Sequence, residues 1–588
     1  MGNRLFAQHE QRTTIGCDGP WEVFFPSDGT RIAVRDHCAG VREILDIPGC
    51  WEFLPGRRSY RGQAVFRRLV QVPHAGHGRL HFAGISHTAT VYWNGKRVGG
   101  HHNAFTAFSV DLPRLQPGEH EILVHVSNEH GELSGLHIPN DYYNYGGISR
   151  PATLHLLADA VGIDRVEVVP NRRGAGWRAA CTVHLGNRSR RERDLRLHLA
   201  LAGGSIERSV TVPPGGRSLK LQLDPGTVTA WTPAEPQLYW CRARVYDGEA
   251  CIDDWCDRIG FRTVGVRGSK ILLNGEPVFL RGFNRHEDHA DFGCAIPESL
   301  MRRDLLQMRA MGCNAVRTCH YPNDERFLDL CDELGFLVWE ENHARGQNVA
   351  AMQHPRFREQ CYAVTREMVE QHINRPCIVV WGVMNECASE SEVGRAMYAE
   401  QFALIEELDP SRPTTYASCR HANDICQDLP RVCYWNLYPR WYFEDDPVHN
   451  LEQEVLKRYR KRGMGGKPVI VSETGAGAIP GMRDPVRRAK WSEGRQADIL
   501  AELCDAFLDH RRLSGLFLWQ FCDVRVDEQW ARDRPRTMNN KGVVDEYRRE
   551  KLAVPVVRER FLADAGRRGG AAALPRPDAP LPVLAPDV

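Results

Sequence analysis

The chain has 588 residues, 42% of them apolar and 26% charged, the balance of an ordinary globular protein. Lysine plus arginine number 76 against 75 acidic residues, a net charge of +1, so no overall field draws the chain to nucleic acid or an anionic membrane. No apolar stretch reaches the roughly 18 residues a spanning helix needs, MGNRLFAQHEQRTT at the N-terminus carries no secretory core, and at roughly 150 residues per domain the length allows about four domains.

The first ~265 residues read as β structure. RLHFAGISHTATVYW (79–93) alternates apolar and polar residues at strand period, and Asn94-Gly95 between VYW and KRV predicts a type I′ hairpin turn. Residues 1–160 are expected to form one β-sandwich. A second run of short strands, from VEVVP to IGFRTV, suits a smaller immunoglobulin-like sandwich over 161–265. The 19 cysteines are scattered with no CxxC pair, which predicts free, mostly buried thiols in a reducing cytoplasm.

After residue 265 the pattern changes. Short apolar runs alternate with amphipathic stretches such as ESLMRRDLLQMRAMG (298–312), where Met301, Leu305 and Met308 share a face and Gly312 offers a C-cap. Eight strand-like runs follow one another: VFLRGF, AVRT, FLVWEE, IVVWG, TTYAS, VCYWN, PVIVSE and LFLWQF. Eight strands interleaved with helices over 266–564 predict a (β/α)8 (TIM) barrel; a doubly wound sheet lacks its GxGxxG. The Ala/Pro/Gly-rich segment 565–588 is expected to be a disordered tail.

Reactive groups of such a barrel lie at the C-terminal ends of its strands. Glu386 and Glu473 end two strongly apolar runs, where a carboxylate is costly unless it faces a polar pocket. Strands four and seven lie across one mouth, so the pair could flank a glycosidic bond, one acid protonating the leaving oxygen and one carboxylate attacking or activating water. By spacing alone, structural ion pairs explain the pair equally well. Trp381, Trp435, Trp441, Tyr442 and Trp519 could pack on sugar faces, although Trp381 and Trp519 fit a barrel core by composition. His286-Glu287-Asp288-His289 reads as a solvated loop or a substrate contact rather than a metal site. No serine-hydrolase GxSxG is present.

NAVRTCHYPNDERFLDLCDELGFLVWEE (314–341) and NRPCIVVWGVMNE (374–386) resemble, in order, the two signatures of glycoside hydrolase family 2. PGCWE (48–52), VYWNGKRVG (91–99) and NYGGISRP (144–151) are similar to that family's N-terminal jelly roll, and WTPAEPQLY (231–239) to its immunoglobulin-like domain. The resemblance covers about 20–560. It implies a retaining hydrolase with Glu386 as acid/base, Asn385 on the sugar 2-hydroxyl and Glu473, in SETGA, as nucleophile. Within the family, Asn539-Asn540-Lys541 resembles the Asn-x-Lys clamp that grips a uronate carboxylate, and NLYPRWY resembles a segment ending in a substrate-contacting tyrosine, here Tyr442. By the same matching Asp141 reaches a sugar hydroxyl, His320 and Trp519 line the pocket, and Arg536 adds positive charge near the carboxylate.

The implied reaction is release of terminal β-D-glucuronic acid, with β-galactosidase or β-galacturonidase activity as the alternative and a non-catalytic sugar-binding protein as the second. No cofactor or metal is expected. A β-glucuronide, small or oligomeric, is the expected partner, without nucleic acid or membrane, and relatives often assemble as dimers or tetramers. Thr474 departs from the Tyr or Phe that many relatives carry after the nucleophile, and YRREK (547–551) from a commoner Arg-Pro-Lys.

Overall fold

A computed structural model describes residues 4–27, 32–530 and 534–568. The N-terminal part is two packed antiparallel sheets. One has six strands in the spatial order 41–47, 19–25, 63–72, 118–127, 88–93 and 96–102; the other has four, ordered 13–16, 152–157, 76–82 and 108–115. Gly76–Phe82 shows why these residues form strands: every second side chain is buried and the rest face outward. Asn94 and Gly95 take φ of 48° and 74°, as the expected hairpin turn requires.

A three-stranded and a four-stranded antiparallel sheet follow between Val161 and Ile259, with their own core. Leu195, Leu197, Leu199 and Leu201 alternate into it along one strand. Trp231, between strands 217–223 and 239–247, is buried in the core of the barrel instead, and its indole N–H donates to the Asp332 carbonyl at 2.9 Å.

A small antiparallel sheet over 264–278 and an antiparallel pair, 524–525 with 538–539, flank a barrel whose strand pairs are all parallel: β1 (Leu280–Arg285), β2 (Ala315–Thr318), β3 (Leu337–Glu341), β4 (Ile378–Gly382), β5 (Thr414–Thr415, continued by Ala417–Ser418), β6 (Cys433–Asn436), β7 (Val469–Thr474) and β8 (Leu513–Leu518). Nearly every strand residue is buried, because side chains fill the interior on one face and helices cover the other. Helix Glu298–Ala310 buries Met301, Leu305 and Met308 as its periodicity predicts. It is followed by Gly312 at φ 88°, where a Cβ would lie 2.9 Å from the Leu562 backbone nitrogen.

One long connection, 128–151, leaves the N-terminal sheets and crosses the barrel mouth. It corrects the reading of 286–289 as a solvated loop, since all four residues are buried. Arg150 donates to Glu287 at 2.7 Å, and the other Glu287 oxygen accepts the Asp324 N–H at 2.9 Å. Asp288 accepts the Tyr145 hydroxyl at 3.1 Å and the Arg525 N–H at 3.0 Å. These carboxylates fasten the N-terminal part to the barrel. The last helix, Ala553–Arg568, includes the first four residues of the segment expected as a tail; 569–588 lie outside the described residues. All 19 cysteines are free thiols and most are buried. No helix among the described residues is long and apolar enough to cross a membrane.

Candidate active site

Glu473 sits near the end of β7 and is buried. Arg317 Nη1 donates to its Oε1 at 2.7 Å, and the Tyr438 hydroxyl donates to Oε2 at 2.9 Å. Burial raises the Glu473 carboxyl above its ordinary range; Arg317 opposes that rise, and the nearby Glu386 charge adds to it. Both hydrogen bonds favour the anion and orient the carboxylate.

Glu386 lies beyond β4 on backbone held at φ 52°, a region β-carbons disfavour; Met384 shares it at φ 51°. Three contacts hold this turn: the Met384 N–H donates to Asn342 Oδ1 at 2.9 Å, Tyr398 donates to the Met384 carbonyl at 2.6 Å, and the Glu386 N–H donates to the Ala417 carbonyl at 2.9 Å. The Glu386 side chain accepts from Asn436 Nδ2 at 2.8 Å and faces Arg345 Nη2 at 3.5 Å. It is 19% exposed, against 5% for Glu473, so it stands nearer to water.

Arg317 organises the floor. It is fully buried in β2, donates twice to Glu341 (2.9 and 3.0 Å) and once each to Asn284 (2.9 Å) and Asn385 Oδ1 (2.7 Å), and lies over the Trp339 ring. Because its carbonyl is taken by Arg317, Asn385 turns its Nδ2 away as a buried donor without a protein partner among the described residues. Burial pushes Glu341 up to about 7 in spite of this bidentate pair. His320 Nδ1 lies 2.7 Å from Glu341. Burial and then the Arg317 charge pull the His320 pKa far down, so the ring is neutral. Its N–H goes to the carboxylate, leaving Nε2 as an unpartnered acceptor. The ring stacks on Trp519, centroids 5.1 Å apart.

A second cluster faces this floor. Asp141, from the 128–151 connection, accepts from Asn539 Nδ2 and Arg534 Nη2, both at 2.9 Å, while its Oδ1 is buried without a partner. Lys541 is buried, and its ammonium donates to the Tyr442 hydroxyl at 2.9 Å amid the Tyr438, Trp441 and Tyr442 rings. No carboxylate pairs with it among the described residues. Burial pulls the Lys541 pKa down. Burial would raise the Tyr442 phenol, yet Lys541 and Arg534 hold it below its ordinary value. Such a site is electropositive, aromatic and short of an anion.

His286, Cys319 and His320 come close enough to hold an ion. However, His320 Nδ1 is committed to Glu341, and burial keeps the Cys319 thiol protonated. The sequence-derived residues thus fall into two groups: Glu386, Glu473, Asn385, His320 and Trp519 around Arg317, and Asp141, Asn539, Lys541 and Tyr442 beside Arg534. Arg536 turns away to pair with Glu546, so the charge expected of it near the clamp comes from Arg534. Trp381 is structural: fully buried, it donates to Asp409 at 2.8 Å. Sequence reasoning missed Arg317, although an arginine inside the apolar run AVRT carries the same signal that singled out the two glutamates. Arg534 gave no signal, because its partner Asp141 lies 393 positions away.

Comparison with known proteins agrees with this architecture. The family model described as "Glycosyl hydrolases family 2, TIM barrel domain" matches residues 264–563. A crystal structure of a family 2 β-galacturonidase from Eisenbergiella tayi, bound to galacturonate, superposes with a TM-score of 0.89 at 41% identity, covering 96% of this chain and 99% of that one. A β-glucuronidase of Streptococcus agalactiae is 26% identical over 571 residues, 88% of this chain and 92% of its own. A β-galactosidase of Thermoanaerobacter pseudethanolicus is 29% identical over 473 residues, 77% of this chain and 60% of its own. With that barrel, that glutamate pair and these relatives, the chain belongs to glycosyl hydrolase family 2 and is a glycoside hydrolase.

Proposed function

We propose that the chain is a retaining exo-β-uronidase that removes a terminal hexuronic acid, with β-D-galacturonides as its preferred substrates. The observation that carries the uronate reading is the buried Lys541 ammonium, which has a phenol but no carboxylate beside it among the described residues. A charge buried in that way is destabilising unless a ligand supplies the counter-ion. A uronate carboxylate would take donors from Lys541 and from the adjacent Arg534 and Asn539, while a neutral galactoside would leave them unpaired. The galacto preference rests on the Eisenbergiella tayi enzyme, whose likeness is far greater than that of the glucuronidases. β-D-glucuronides are the second reading, supported by the number of glucuronidases among the relatives and by the shared position of the carboxylate.

In this reading Glu473 attacks the anomeric carbon while Glu386 protonates the leaving oxygen. A glycosyl-enzyme ester forms at Glu473 and the aglycone leaves as an alcohol. Glu386, now a carboxylate, takes a proton from water, which displaces Glu473 and frees the sugar with its β configuration. Forming the ester removes the negative charge of Glu473, and the two roles follow one another on one pair. Asn385 Nδ2 donates to the 2-hydroxyl, an interaction that strengthens as oxocarbenium character grows. His320 Nε2 and Asp141 Oδ1 accept from sugar hydroxyls, and Trp519 packs on the ring.

The test is hydrolysis of aryl β-D-galacturonide, β-D-glucuronide and β-D-galactoside under identical conditions. Both uronides are expected to exceed the galactoside by orders of magnitude in kcat/KM, with the galacturonide first. Preference for the galactoside would overturn the clamp, and preference for the glucuronide would select the second reading.

A further inference from the structure

A group of histidines lies behind the catalytic mouth, where the N-terminal sheets meet the 128–151 connection. His87 precedes strand 88–93, His102 ends strand 96–102, and His137 belongs to the connection. One ring nitrogen of each lies within 4.8 Å of those of the other two. Their Nδ1 atoms are all engaged: His87 and His102 share the Thr88 hydroxyl at 3.1 and 2.9 Å, and His137 meets the Ser134 hydroxyl at 3.3 Å. Their Nε2 atoms are all shut off from water without a partner among the described residues. So is Nε2 of His343, whose ring centre is 4.4 Å from that of His137 and whose Nδ1 meets the Tyr142 hydroxyl at 3.2 Å.

Four orphaned imidazole nitrogens at one place are expensive, since each loses its hydration and gains nothing. Hydroxyls on Nδ1 fix ring orientation, and in the tautomer whose Nδ1–H donates to the hydroxyl the lone pair lies on Nε2, the arrangement that outer partners give metal-binding histidines. We propose that His87, His102 and His137 bind a divalent transition-metal ion through Nε2, with the fourth position open to His343. Neutral imidazoles without acidic neighbours select zinc or its close relatives rather than calcium or magnesium.

Proton competition is weak. Burial and mutual repulsion hold His87 and His137 far below the ordinary histidine range, and burial takes His102 to about 4 and His343 to about 3. Zinc–nitrogen bonds of about 2.0–2.1 Å need nitrogens roughly 3.3–3.5 Å apart, a spacing inside the 4.8 Å limit on the present separations. The His87 and His137 rings now stack at 4.2 Å and 18°, and one of them rotates out of the stack to point at the ion. The ion then ties the connection, four residues before Asp141, to the edge strand carrying His102. It is a structural clamp on the part of the sugar site that the N-terminal region supplies.

The experiment uses the full chain, stripped with a chelator and reloaded with zinc or cobalt(II). Metal content is measured by mass spectrometry, and the cobalt form by visible absorption. The expected result is one ion per chain, a nitrogen-ligand cobalt spectrum without a thiolate charge-transfer band, and loss of that ion in His102→Gln and His137→Gln. His102 is the partly exposed member, so its variant tests the site with the least risk to folding. A wild-type chain that takes up no stoichiometric ion, an ion retained in both variants, or a thiolate band tracing the ion to the cysteines would each overturn the proposal.

Discussion

Replacing Lys541 with methionine separates binding from folding. The substitution keeps the shape of the stem and removes the ammonium. Because no carboxylate pairs with Lys541 among the described residues, the free enzyme loses the bond to Tyr442 and the ammonium's weak contacts with the Tyr438, Trp441 and Tyr442 rings, but no ion pair. Burial lowers the Lys541 pKa, so between its folded and unfolded values the unfolded chain binds more protons. The charged lysine therefore destabilises the fold in full below its folded pKa, and the penalty shrinks as pH rises from the folded to the unfolded value. At neutral pH, Lys541→Met is expected to leave Tm unchanged or raise it. Turnover moves the other way. A charge-assisted hydrogen bond is worth roughly 1.5–3 kcal/mol and a tenfold rate about 1.36 kcal/mol, so kcat/KM on a uronide should fall about 10- to 150-fold. The buried, unscreened position favours the upper end. The assay is kcat/KM on aryl β-D-galacturonide and β-D-galactoside together with thermal unfolding. Equal losses on both sugars, or a large fall in Tm, would refute the reasoning.

Arg317→Gln removes the cation that serves Glu341, Glu473 and Asn385 together, so about 3–5 kcal/mol of stability should be lost, measured by urea unfolding. With that positive charge gone, Glu473 ionises at higher pH, and the acid limb of kcat/KM, already above an ordinary carboxylate in the wild type, should move further up; an unmoved limb would mean that Glu473 is not the ionised group. Arg534→Gln should reduce uronide turnover with little effect on the galactoside, whereas Arg536→Gln, which breaks only the pairing with Glu546, should leave both rates near wild type. Comparing the two variants by kcat/KM decides which arginine serves the clamp.

Much of the barrel is legible in the sequence because its strands are buried on both faces and read as continuous apolar runs between helical periods. The two glutamates stand out for the same reason, as carboxylates ending apolar runs. Arg317 belongs to that class as well, a cation inside the apolar run AVRT, but its partners Glu341, Glu473 and Asn385 lie on or just beyond three other strands and are not visible locally. The 286–289 segment was misread because its burial comes from Tyr145 and Arg150, far earlier in the chain. Local polarity predicts solvation only where no distant element covers it. The pairing of Arg534 and Asp141 is invisible for the same reason. Lys541 is different: its position came from a motif, while the physical reason for it, a buried charge without a counter-ion, appears only once its neighbours are known.

The pairing of roles on Glu473 and Glu386 is tested most directly by trapping the glycosyl-enzyme. The wild type is incubated with 2-deoxy-2-fluoro-β-D-galacturonosyl fluoride and its glucuronosyl counterpart; the 2-fluorine slows both steps and the fluoride leaving group restores only the first, so the glycosyl-enzyme accumulates. Peptide mapping should find one fluorouronosyl group as an ester on Glu473, and the first product from an ordinary substrate should be the β anomer by proton NMR. A label on another residue, or no label with release of the α anomer, would contradict the account.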